Sequence, residues 1–128
     1  MMDNDHFSAW LGVERLEEKE GYCKLKMVVR KEMCNGFGIA HGGSTFSFAD
    51  SCFAFASNSY GQQAVSLESS ITHIAPCFEN DILIAEAVEE SQTKRTAVYI
   101  VRIFNETTQK KVAIFKGVVF KTGKEWDV

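Results

Sequence analysis

The chain has little that would tie it to a disordered, membrane-bound or nucleic-acid-bound existence. One proline in 128 residues, with no stretch of biased composition, excludes a proline-rich linker and a disordered chain. Positive charge is scarce: 14 lysines and arginines against 17 aspartates and glutamates leave a formal net charge of −3. No basic field therefore invites nucleic acid, and an anionic ligand needs a local cluster of cations. Cys23, Cys34, Cys52 and Cys77 are widely spaced and form no Cys-x-x-Cys pair, so neither a disulfide framework nor a closed zinc site is expected. No run reaches the roughly 18 apolar residues of a membrane span. The opening MMDNDHFSAWLGVERLEEKE lacks the basic and apolar regions of a signal peptide. The expectation is one domain over residues 1–128, cytoplasmic, with reduced thiols, no metal and no cofactor.

What is present is a clear change of period. Cys23, Leu25, Met27 and Val29 alternate with Tyr22, Lys24, Lys26 and Val28, as in a half-buried strand. A weaker strand over 13–18 precedes it across a turn at Glu20-Gly21, and a short helix before that carries Phe7, Trp10 and Leu11 on one side. Residues 42–59 abandon the alternation and suit a helix, with Ala49, Ala54 and Ala56 as good formers. Ser44 or Thr45 is the expected cap and Gly61 the expected stop. Strands follow over 64–74, 81–90, 95–105 and 110–121, the third rich in β-branched and aromatic residues. The long helix is apolar on nearly its whole circumference. A curved antiparallel sheet can cover one side, leaving the other for a second subunit.

Asp50 is the one charge in that helix. It has poor helix propensity, and burying a carboxylate without a partner costs several kcal/mol. Either a hydroxyl or a backbone amide satisfies it, or it is kept because it works. His41-Gly42-Gly43 stands where the helix begins. The glycines are either a plain turn, or they let a ligand reach amides that have no partner within the helix and suit a developing oxyanion. Gly42 and Asp50, eight residues apart, lie about 12 Å apart along a helix axis. One carbonyl carbon cannot touch both in the same chain. Two such helices, antiparallel about a twofold axis, bring each Gly42 near the other chain's Asp50.

At these residues the chain resembles a known family. Asn35-Gly-Phe-Gly-Ile-Ala-His41-Gly42-Gly43, with Asp50 seven residues on, is similar to the hotdog-fold acyl-CoA thioesterases of the PaaI (phenylacetic acid degradation) type. Phe48-Ala49-Asp50-Ser-Cys-Phe53-Ala54-Phe55-Ala56 and Asn58-Ser59 match that branch, and Ile71-Thr-His-Ile-Ala-Pro76 sits where the family has a strand ending in proline. The resemblance covers almost the whole chain. It implies an α+β hotdog fold, a long central helix wrapped by a curved antiparallel β-sheet. It also implies a homodimer with shared active sites, paired along the strand near Val65, and further assembly into a homotetramer. The implied substrate is an acyl-CoA, phenylacetyl-CoA or a ring-hydroxylated relative.

Carried over, the resemblance makes Asp50 the general base or nucleophile, with the Gly42 amide as oxyanion donor. Asn35 orients substrate or water, His41 positions the thioester, and Ser66 places a hydroxyl near the carboxylate or is simply an outward strand serine. Gly43 and Phe46 are expected beside the substrate. For the coenzyme phosphates the local basic pairs at strand ends are Lys94-Arg95, Arg30-Lys31 and Lys110-Lys111, of which Lys94 and Arg95 are taken as substrate-binding; each pair is otherwise a solvated turn. Phe46, Phe53 and Tyr60 line an aromatic acyl pocket or belong to the core, and Cys52 belongs to the core. Two other readings stay open: a hydratase or dehydratase of acyl thioesters using His41 and Asp50, and a protein that holds acyl-CoA without turning it over.

Overall fold

The structure, a computed structural model, describes residues 4–125; the ends of the expected domain lie outside the described residues. The alternation seen in the sequence becomes β2, Tyr22–Val28, whose Cys23, Leu25 and Met27 are fully buried. It pairs antiparallel with β1, Glu14–Lys19, whose residues are all exposed. Before them stands helix α1, His6–Leu11, capped by the Asp5 side chain accepting from Ser8 N.

Helix α2 spans Gly42–Ser57. Its cap is neither Ser44 nor Thr45 but His41, whose Nδ1 accepts from Gly43 N at 3.0 Å. The hydroxyls of Ser44 and Thr45 turn back instead, donating to the carbonyls of His41 and Gly42. The helix also stops before the expected Gly61. Asn58 closes it, with Nδ2 on Ala54 O and Oδ1 accepting from Ala64 N, so one side chain joins the helix end to the next strand.

Four strands follow, β3 at Gln62–His73, β4 at Ile82–Gln92, β5 at Thr96–Asn105 and β6 at Lys111–Glu125. With β1 and β2 they form one sheet in the order β1-β2-β4-β5-β6-β3, antiparallel throughout. Helix α2 packs against β2, β3, β4, β5 and β6, the hotdog arrangement. At Gly117 of β6 the helix packs so tightly that a Cβ would stand 2.6 Å from the Phe53 ring. Only a glycine leaves that ring its place, and Phe53 in turn packs on Phe115 and Tyr99. No helix among the described residues is long and apolar enough to cross a membrane.

Candidate active site

Although α2 is apolar all round, it is not covered all round. Thr45, Phe48, Ala49, Cys52, Phe53, Phe55 and Ala56 are buried, while Gly43 is exposed and Ser47, Asp50 and Ala54 are only half-buried. Spacings of four, three and four put those last four residues on one narrow stripe. The sheet lies on the other side, and α1 lies along this one: Ser8 Oγ and Ser51 Oγ share a hydrogen bond of 2.7 Å, one residue beyond Asp50.

The Asp50 carboxyl therefore sits half-buried on the open stripe, and among the described residues it accepts no hydrogen bond. Burial pushes its pKa above the usual aspartate value, and the negative charge of Asp5 adds to the shift. A carboxyl held this way is a better proton acceptor than one in water. Cys52 faces the opposite way: its thiol donates to the carbonyls of Cys23 and Ala85, and burial raises its pKa well above the usual thiol value. It is in no state to act as a nucleophile.

At the start of α2 the sequence-predicted residues gather. Asn35 folds its own loop, Oδ1 accepting from Phe37 N at 2.9 Å and Ile39 N at 3.2 Å. Loop and helix start are tied together, since His41 N donates to Met33 O at 2.7 Å. The His41 cap engages the Gly43 amide. The Gly42 amide, at the first helical position, has no helical partner, and no acceptor for it lies among the described residues.

One residue near Gly42 has no role in the sequence analysis. The His73 ring lies 3.1 Å from where a Gly42 Cβ would be, and its Nε2 shares a 2.8 Å hydrogen bond with Thr45 Oγ1. A recess of about 300 Å³ opens there, lined by Ala40, Gly42, His73 and Pro76 among others. A histidine at the end of an exposed strand gives no local signal. Only the pairing of β3 with β6 brings it onto the helix.

The other expected residues are dispersed. Ser66 is exposed on β3, its hydroxyl 3.3 Å from Ser69 Oγ and not bonded to Asp50. Phe46 packs edge-on against Phe115, ring centroids 5.4 Å apart. Lys94 and Arg95 are exposed in the β4–β5 turn. That turn belongs to the far end of α2, because Lys121 holds Gln92 and the Thr93 carbonyl beside a recess lined by Ser57 and Tyr60. Arg30, by contrast, is occupied: its guanidinium donates to Leu11 O and Trp10 O and pairs with Glu32.

Comparison with known proteins bears on what such a site serves. The family model described as the thioesterase superfamily matches residues 37–112. The acyl-coenzyme A thioesterase PaaI of Escherichia coli K12 is 39% identical over 123 residues, 96% of this chain and 87% of its own. The structure of the E. coli PaaI protein from the phenylacetic acid degradation operon superposes with a TM-score of 0.94 at 38% identity, over 98% of this chain and 90% of that one. Smu.793 of Streptococcus mutans UA159, solved bound to acetyl CoA, superposes with a TM-score of 0.85 at 27% identity, over 89% and 91% of the two chains.

Proposed function

The chain belongs to the thioesterase superfamily, and from that premise we propose that it hydrolyses arylacetyl-CoA thioesters, phenylacetyl-CoA or its ring-hydroxylated relatives, with Asp50 as general base. Acyl-CoA thioesterase activity is what this family and its PaaI relatives support. The observation that carries the residue assignment is the half-buried Asp50 carboxyl, without a hydrogen bond among the described residues and raised in pKa, on the open stripe of α2.

In this reading ionised Asp50 takes a proton from water as the water oxygen attacks the thioester carbon. The carbonyl oxygen becomes an oxyanion held by the Gly42 amide and the positive end of α2. The tetrahedral intermediate collapses by breaking the C–S bond, and Asp50 returns its proton to the departing thiolate. A thioester needs little more, because its carbonyl is weakly resonance-stabilised and thiolate leaves readily. Asn35, with Oδ1 committed to its loop, offers Nδ2 as a donor toward substrate or water, and His41 holds the helix start in shape.

Gly42 and Asp50 of one chain are too far apart to serve one carbonyl, so the site is shared across a homodimer, the Gly42 amide from one subunit and Asp50 from the other. Edge strand β3, with Val65 and Leu67 half or more exposed, is the pairing edge. Antiparallel helices then bring Lys94 and Arg95 of one subunit toward the helix start of its partner, where the coenzyme phosphates lie. Assembly into a tetramer and a cytoplasmic location complete the proposal. Free-thiol release from phenylacetyl-CoA, acetyl-CoA and a long-chain acyl-CoA tests it: the aryl substrate is expected to turn over fastest. Release from none of the three by folded protein overturns the reading.

A further inference from the structure

Resting on that thioesterase reading, we propose that the acyl ring binds in the groove between α1 and the start of α2, with Phe7 and Trp10 as its selective wall. The groove is a recess of about 280 Å³ lined by Phe7, Trp10, Met33, His41, Gly43 and Ser47, among others. It falls just below the roughly 300–1,000 Å³ of pockets that take whole drug-sized ligands, so it suits a ring and not an entire coenzyme.

Its floor ties it to the chemistry. Gly43 and Ser47 belong to the open stripe that continues to Asp50, so a ring lying in the groove points its acyl carbon along the helix at the carboxyl. The recess over Gly42 and His73 opens at the same helix start. The helix start therefore separates an aromatic recess from one that holds the free amide.

The wall is built and held. Phe7 and Trp10 stack with centroids 5.9 Å apart, yet they are 54% and 58% exposed, an unusual position for large apolar rings that nothing among the described residues covers. They do not fray, because Arg30 donates to Trp10 O and Leu11 O at 2.8 Å each and lies 5.3 Å from the Trp10 ring. Ser8 is bonded to Ser51, and Leu11 is buried. A pre-ordered aromatic face loses little entropy when it binds. The aromatic residues of α2 itself are not free to bind a ring, since Phe46 and Phe53 both pack on Phe115.

The test is specificity. Trp10→Ala and Phe7→Ala should lower kcat/KM for phenylacetyl-CoA roughly 10- to 100-fold. Acetyl-CoA, which has no ring to place, should change less than about threefold. Trp10→Phe should restore most of the aryl activity. Equal losses on both substrates, or a change of oligomeric state in step with the loss, would mark the pair as packing and overturn the proposal; so would no loss on either. A second readout separates this groove from the hydrolytic reading. The chain has two tryptophans, so Trp126→Phe leaves Trp10 as the only tryptophan, whose emission is read with excitation beyond the tyrosine absorption. Phenylacetate should shift Trp10 emission and acetate should not. Thioester hydrolysis without that shift defeats the groove alone, whereas the shift without hydrolysis of any thioester keeps the groove and defeats the enzyme reading.

Discussion

In the proposed mechanism a single aspartate carries the chemistry, and it also costs the fold something. The pKa of Asp50 is raised in the folded chain, first by burial and then by Asp5. The sign follows from linkage. Below the unfolded pKa both states are protonated and nothing is lost; as pH rises through the folded pKa, ionisation favours the unfolded chain. Asp50→Asn should therefore raise Tm at pH 8 by a few degrees, on the order of 2–5 °C, with the gain vanishing at acid pH. Thermal melts at the two pH values check it; an unchanged or lowered Tm at pH 8 would mean that the carboxylate is satisfied. The same shift predicts that kcat/KM falls on the acid side at a pH above the usual aspartate pKa, and that this limb is absent from the residual activity of the Asn variant. Asp50 was legible in the sequence because it is the one charge in an apolar helix. His73 was not, because its contacts with Gly42 and Thr45 come from a strand 28 or more residues away.

Elements were legible where one period ran long enough. The buried alternation of β2 and the four later strands were expected within a few residues of where they lie. The ends of α2 were not, because side chains of the flanking loops set them. A histidine cap has no strong sequence preference behind it, and Asn58 stops the helix by bonding to a strand that propensity cannot see. Glycine at 117 was equally silent, since the strand pattern around it would have taken any residue. Gly117→Ala should cost about 1–3 kcal/mol, because its methyl group must displace a Phe53 ring wedged against Phe115 and Tyr99. Denaturant melts measure it, and a loss below about 0.5 kcal/mol would show that the ring has somewhere to go.

At the scale of the whole molecule, β2, β3, β4, β5 and β6 all pack on α2, and a stripe is left that α1 only partly shields. The stripe carries the carboxyl, the helix start carries the amide, and edge strand β3 leaves apolar residues unpaired. The separation of amide and carboxyl was legible from residue counting alone. The groove under α1 was not, because it exists only once Arg30 and Ser51 have fixed α1 in place. A dimer that shares its sites makes a prediction no single-chain site can. Asp50→Asn should lower kcat by roughly 10²–10⁴. Gly42→Pro removes the amide donor at a first-turn position whose backbone proline tolerates, at the cost of nudging the His73 ring by a few tenths of an ångström, and should lower it by roughly 10²–10³. The most direct measurement is thiol release from phenylacetyl-CoA after equal amounts of these two inactive variants have exchanged subunits. A shared site predicts recovery to about a quarter of wild-type activity, because half of the dimers carry one intact site of their two. No recovery after demonstrated exchange would place both groups in one chain and contradict the shared site.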